Sequence, residues 1–199
     1  MLRIGALASH GGSILQAVMD AISRQELNAE IVLLGSNNSK AEVINRARKH
    51  GIPTVHLSSI HHRSPEQLDR QMADKFLRAK ADILLLAGYM RKIGPITLSA
   101  FQNRVINTHP SLLPKYGGKG FFGRKIHQAV IASKDTKTGV TIHLVDASYD
   151  TGSILDQIEI PVDKTDTPYT LEEKVKEHER TFIVSWLAQA ARRETNLLF

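Results

Sequence analysis

The sequence predicts an α/β protein: a Rossmann-like, mostly parallel sheet with helices on both faces and an antiparallel C-terminal part. Two observations carry this expectation. Short apolar runs alternate with amphipathic helical stretches from the first residue, the pattern of buried parallel strands joined by crossover helices. Toward the end of the chain two strand-like runs are separated by only Asp146–Gly152, a link that suits antiparallel neighbours. No repeat or low-complexity linker interrupts the 199 residues, so residues 1–199 are expected to form a single domain.

Leu2–Ala8 reads as the first strand. Ser13–Arg24 reads as a helix with Ile14, Val18, Ala21 and Ile22 on one stripe, and Ser13 is a candidate N-cap. Ala29–Leu34 is the second strand. Lys40–His50 is a helix whose dense basic residues form a solvated face. Thr54–Leu57 is a short strand, and His61-His62 a solvated loop pair. Pro65–Ala79 is a helix with Leu68, Met72, Phe76 and Leu77 inward. Asp82–Ala87 is a buried strand, Pro95–Phe101 a short helix, and Arg104–Asn107 a strand that Pro110 brings to a close. Lys115–Gly123 is a loop rich in Gly and Lys, and Phe122–Ser133 is helical. Thr138–Val145 and Ser153–Val162 are the antiparallel pair, and Thr170–Arg193 carries the last long helix.

Composition removes several function classes. There are no cysteines, which excludes disulfides, a thiolate nucleophile and cysteine-bound metal, and fits a reducing cytoplasm. The first residues lack a signal sequence, and no apolar run approaches the ~18 residues that span a bilayer. Net charge is +6, but the 26 Lys and Arg are dispersed among 20 Asp and Glu. Aromatics are sparse and not interleaved with the basic residues. An anionic small molecule is therefore favoured as ligand over nucleic acid.

Three segments carry candidate chemistry. In Val105–Tyr116, V-I-N-T-H-P-S-L-L-P-K-Y, a buried strand ends in Asn107 and His109. They lie two positions apart and so share a face. Strand ends in such sheets are where ligands sit, and an amide beside an imidazole suits stabilisation of an oxyanion. In Thr138–Gly152, T-G-V-T-I-H-L-V-D-A-S-Y-D-T-G, Asp150 beside His109 would orient the imidazole and favour its charged form. Taken alone, Asp150 reads as a turn residue and His143 as a satisfied strand histidine. Ser9-His10-Gly11-Gly12-Ser13 follows the first strand, where glycines and free helix-start amides favour a phosphate. It is neither a dinucleotide fingerprint nor a P-loop. His109, His143 and Asp150 match no compact metal-ligand spacing, and Ser111 lacks the elbow of a hydrolase nucleophile.

Together these segments resemble the glycinamide ribonucleotide transformylase family, the folate-dependent formyltransferases of purine synthesis. The resemblance covers nearly the whole chain. It rests on N-x-H-P-S-L-L-P at Asn107–Pro114, the later D-x-G at Asp150–Gly152, and Ala87-Gly88-Tyr89-Met90-Arg91, similar to A-G-[FY]-M-R. It implies the formyltransferase fold, with Asn107, His109 and Asp150 as the catalytic trio. It implies that Gly11, Gly12 and Ser13 hold the ribonucleotide phosphate, and that Met90, Arg91, Val145 and Asp146 line the folate site. It further implies a Lys-x-x-Glu contact to substrate on the last helix, for which Lys176/Glu179 is the better register and Lys174/Glu177 also fits. The implied co-substrate is 10-formyltetrahydrofolate with no metal, the partners are small molecules with neither nucleic acid nor membrane, and the location is cytoplasmic. A homodimer is left open. The implied reaction is direct attack of a primary amine on the formyl carbon through a tetrahedral intermediate. The chain departs from the family in S-H-G-G-S-I, where S-G-x-G-S-N is usual, and in G-G-K-G-F-F-G after Tyr116. These departures bear on the amine acceptor, so formylation of an amino sugar or a nucleotide-linked amine is an alternative, as is a folate- or nucleotide-binding protein without catalysis.

Overall fold

The computed structural model describes residues 1–58 and 64–192; His61 and His62 lie outside them. The elements run β1 (Leu2–Leu7), α1 (Ser13–Ser23), β2 (Ala29–Ser36), α2 (Glu42–Lys49), β3 (Thr54–His56), α3 (Pro65–Arg78), β4 (Ile83–Leu86), α4 (Pro95–Ala100), β5 (Val105–His109), α5 (Arg124–Ala132), β6 (Lys137–Leu144), β7 (Ile154–Pro161) and α6 (Pro168–Ala191). The strands form one seven-stranded sheet in the order β3-β2-β1-β4-β5-β6-β7. Pairing is parallel from β3 through β5. It turns antiparallel where β6 joins β5 and β7 joins β6. The expected division into a parallel front and an antiparallel back therefore falls between β5 and β6.

Strand periodicity decides which helices cover which face. Ile4, Ala6, Ile83, Leu85, Ile106 and Ile142 point to the side covered by α1, α2 and α6, where Leu15, Val18, Val43, Ile183, Trp186 and Leu187 meet them. Leu7, Leu84, Leu86 and Val105 point the other way, onto Met72, Phe76 and Phe101. A smaller cluster, Ile126, Val130, Val140, Ile160, Leu171 and Val175, seats α5 and α6 on the antiparallel strands. Burying one such Leu, Ile or Phe contributes ~1.5–3 kcal/mol, so these layers dominate the stability.

Four local expectations need correcting. Ser13 does not cap α1; Gly12 is the N-cap, at φ 68, and no side chain bonds the helix start. Leu77 is 47% exposed, because the inward stripe of α3 runs at fourfold spacing through Met72 and Phe76 and leaves the next residue turned outward. The Lys40–His50 stretch is more than a solvated face, since Val43, Ile44 and Ala47 are buried while its Arg and Lys residues ring the outside. Helix α5 starts at Arg124 rather than Phe122, both Phe121 and Phe122 being exposed.

One cap is invisible in the local sequence. Asp69, buried on α3, accepts from the amides of Ile96 (2.8 Å) and Thr97 (3.1 Å) and from the Thr97 hydroxyl (2.6 Å). It thereby closes the start of α4 from a neighbouring helix, a long-range partner that local pattern does not reveal.

Candidate active site

The carboxyl ends of β1, β4 and β5 and the loop after β6 converge on one edge of the sheet. Strand β5 ends in Asn107 and His109, which share a face as their spacing requires. The antiparallel register sets Asn107 opposite His143 and His109 opposite Thr141. His143, by its sequence a satisfied strand histidine, is indeed satisfied, but its partners make it part of the site. Its Nδ1–H donates to the Leu144 carbonyl (2.8 Å), so Nε2 carries the lone pair. That nitrogen lies 3.1 Å from Asn107 Nδ2 and accepts from it. Burial pushes the His143 pKa down, which keeps the ring neutral and this polarity fixed. One amide proton of Asn107 is thereby committed, and the other is left to face a ligand.

Asp150 turns back into the same space at φ 57, a left-handed backbone held by the turn after Val145. Its Oδ2 approaches His109 Nδ1 at 3.5 Å, and its Oδ1 approaches His143 Nε2 at 3.7 Å. The Gly118 amide donates to Oδ2 (2.9 Å). His109 is 4% exposed. Its Nε2 lies 2.8 Å from the Tyr116 carbonyl, which can only accept, so that nitrogen bears a proton. The opposite ring nitrogen, Nδ1, faces the Asp150 carboxylate. Asn107, His109 and Asp150 are thus brought together as expected, with His143 as a fourth member. Gly152 permits the turn: a Cβ there would lie 1.9 Å from the Leu144 carbonyl oxygen.

The other candidate residues surround this centre. Ser9, at the end of β1, donates through its hydroxyl to Asn37 Oδ1 (2.6 Å) and accepts from the Met90 amide (2.8 Å). This ties the Gly11–Ser13 loop to the Gly88–Arg91 segment. Met90 and Arg91 are exposed, and Val145 and Asp146 open the neighbouring loop. Asp146 is engaged by the Ser148 amide (2.8 Å) and the Thr151 hydroxyl (2.8 Å), so its side chain shapes the loop. A cleft of about 470 Å³ opens beside Ser13, walled by Gln16, Arg46 and Arg180. On α6, Glu179 is buried and its carboxyl pKa is raised by burial, with Thr108, Arg180 and Lys176 opposing the shift. Lys176 pairs with Glu172 (2.9 Å) and Glu173 (3.0 Å). Lys174 is spent on Asp163 (2.7 Å) and Asp166 (2.6 Å), and Glu177 is exposed. Of these four side chains, Glu179 meets Thr108 of β5, while Lys176 is held by Glu172 and Glu173. Among the described residues no group of three His, Asp or Glu side chains is arranged to hold a metal, and no helix is long and apolar enough to cross a membrane.

Residues 2–187 match the family described as Formyl transferase. The chain belongs to that family. Among its formyl transferase relatives is the chloroplastic phosphoribosylglycinamide formyltransferase of Vigna unguiculata, 35% identical over 182 residues. The match takes in 92% of this chain and 58% of that protein, so the chain spans a little over half of the plant relative's length. The phosphoribosylglycinamide formyltransferase of Escherichia coli is 31% identical over 190 residues, covering 94% of this chain and 87% of the relative. The solved structure of glycinamide ribonucleotide transformylase 1 from Symbiobacterium toebii superposes with a TM-score of 0.89 at 30% identity, over 97% of this chain and 89% of that one.

Proposed function

We propose that the protein transfers a formyl group from 10-formyltetrahydrofolate to the primary amine of glycinamide ribonucleotide. The observation that carries this reading is the convergence of Asn107, His109 and Asp150 at the end of β5 in a member of the formyl transferase family. Bound folate supplies the formyl carbon. The free amide proton of Asn107 and the positive ring of His109 stabilise the oxyanion that forms when the amine attacks, in a site where burial strengthens both. Asp150 orients the ring, and its oxygens are placed to take the amine's proton through water; that proton passes to the folate N10 as the C–N10 bond breaks and tetrahydrofolate leaves.

The donor is expected against Met90, Arg91, Val145 and Asp146. The acceptor phosphate is expected at Gly11, Gly12 and Ser13, where α1 lacks a side-chain cap and its first amides remain for an anion. The adjoining cleft carries charges of both signs, Arg180 and the Glu42-paired Arg46 beside Asp20 and Glu26. Lys176 and Glu179 are assigned to the glycinamide end. Ser9 joins the two halves of the site, so that both substrates are held in one cleft and much of the barrier is lowered by approach alone.

The test is tetrahydrofolate release from 10-formyltetrahydrofolate, followed by absorbance with and without glycinamide ribonucleotide. Release that needs the ribonucleotide, and a kcat lower by ~10²–10³ in His109→Ala with unchanged melting temperature, is the expected result. Near-normal turnover in His109→Ala or Asp150→Asn would sink the catalytic roles of these two residues.

A specific observation favours one other acceptor class. His10 is exposed in the phosphate loop, and a Glu42 carboxylate oxygen lies 3.6 Å from where a Cβ on Gly11 would stand. A carboxylate so close disfavours a phosphate dianion and suits an amino-bearing group at this position. Release driven by an amino sugar or nucleotide-linked amine, but not by glycinamide ribonucleotide, would select that reading.

A further inference from the structure

Tyr116 is a bulky residue in the left-handed region, at φ 58, a conformation that persists only where its surroundings enforce it. Its conformation directs the backbone carbonyl onto His109 Nε2 at 2.8 Å. The enforcing contacts come from outside the active site. Asp135, in the turn between α5 and β6, accepts from the Tyr116 hydroxyl at 2.8 Å. The same carboxylate receives Lys115 Nζ at 2.7 Å on each oxygen. The Lys115 ammonium lies 5.1 Å from the centre of the Tyr116 ring, and the Lys115 carbonyl accepts from Ser111 Oγ at 2.6 Å. One carboxylate thus grips two consecutive side chains, and the peptide between the second of them and the next residue carries the carbonyl that holds the imidazole.

We infer that Asp135 is a positioning residue for His109, acting through Lys115 and Tyr116 to aim the Tyr116 carbonyl at the ring. Asp135 spends its carboxylate on Lys115 and Tyr116, one residue removed from the ring. It sets which nitrogen of His109 bears a hydrogen-bonded proton and how the ring lies against Asp150. The inference rests on the catalytic role proposed above for His109.

Asp135→Ala and Tyr116→Phe separate this role from simple support of the fold. Asp135→Ala is expected to lower kcat by ~10- to 100-fold, the scale of a small misplacement at a reacting centre. Both KM values should stay within about twofold, since ground-state binding does not involve the ring's aim. Tyr116→Phe keeps the Lys115 pair and should lose less, and Asp135→Asn, which retains an acceptor, should recover part of the rate. The Nε2 proton of His109, observed by nitrogen-edited NMR, should be protected in the parent protein and exchange freely in Asp135→Ala while the melting temperature is kept. An unchanged kcat in Asp135→Ala, or an unchanged Nε2 signal, would overturn the inference. If His109→Ala itself leaves turnover intact, the fault lies with the catalytic reading instead. A loss in His109→Ala with none in Asp135→Ala defeats only the positioning role.

Discussion

At the scale of single residues, the site depends on polarity being set one bond away from the chemistry. Asn107 is useful to an oxyanion only if its NH₂ group, not its carbonyl, faces the substrate. The neutral His143 decides this, because its Nε2 can accept but not donate. Replacing His143 by Phe should leave the strand in place and free the Asn107 amide to turn over. The expected outcome is a kcat lower by ~10-fold or more, the equivalent of at least one hydrogen bond of ~1.4 kcal/mol, with little change in either KM. Full activity in His143→Phe would show that the amide is oriented by something else. His143 also marks how far residues could be read in advance. Asn107 and His109 stand out as polar residues ending an apolar strand. His143 lies in an ordinary strand pattern, and only the antiparallel register sets it opposite Asn107. Asp150 is similar: its left-handed turn aims it at His109, and nothing in D-T-G alone specifies that direction. On α6 the local pattern does not distinguish Glu179 from Glu177; only the fold buries the first and exposes the second.

At the scale of elements, helix starts tell two different stories. Helices α3 and α6 are closed by their own side chains, Ser64 on the Gln67 amide and Thr167 in a capping box with Thr170. Helix α1 instead begins at a left-handed Gly12 whose missing Cβ would lie 2.3 Å from Val43 Cγ2 on α2. Gly12→Ala therefore has two costs, a left-handed backbone and a collision, together ~2–4 kcal/mol. In a Val43→Ala background the same change should cost less but more than the backbone part alone, because the 2.3 Å contact with Cγ2 is gone while the 2.8 Å contact with Cβ stays. Urea midpoints of the four proteins check this, and equal costs in both backgrounds would remove the collision from the account. Element order and type were legible because each buried strand and amphipathic helix carries its own period, and boundaries shifted by only a few residues. What was not legible were contacts between elements. The Val43 side chain against Gly12 and the Asp69 cap on α4 join segments whose sequences give no sign of each other.

At the scale of the whole molecule, acid stability should be set largely by buried histidines, His127 above all, with His143, also pushed down by burial, acting in the same sense. His127 is 1% exposed on α5, and burial pushes its pKa down from 6.5 to about 4. Between these values the unfolded chain binds a proton that the folded chain refuses. Stability is therefore complete above about pH 6.5 and lost as pH falls toward 4, by up to ~3 kcal/mol. The paired carboxylates Asp135, Asp166 and Glu172, held below their usual values of 3.8, 3.8 and 4.5, weaken the fold as pH falls below those values. Glu179, raised by burial, acts in the opposite sense. His127→Gln should flatten the rise of the urea midpoint between pH 4 and 6.5, and an unaltered slope would assign the effect to another group.

The packing of α6 has a consequence for how the protein is made. Ile183, Trp186 and Leu187 cover Ile4, Leu15 and Val18, so β1 and α1 are sealed by residues translated after every other element described above. Throughout synthesis, one apolar flank of the nascent front half stays bare, and chaperones that recognise such flanks have their opportunity before α6 arrives.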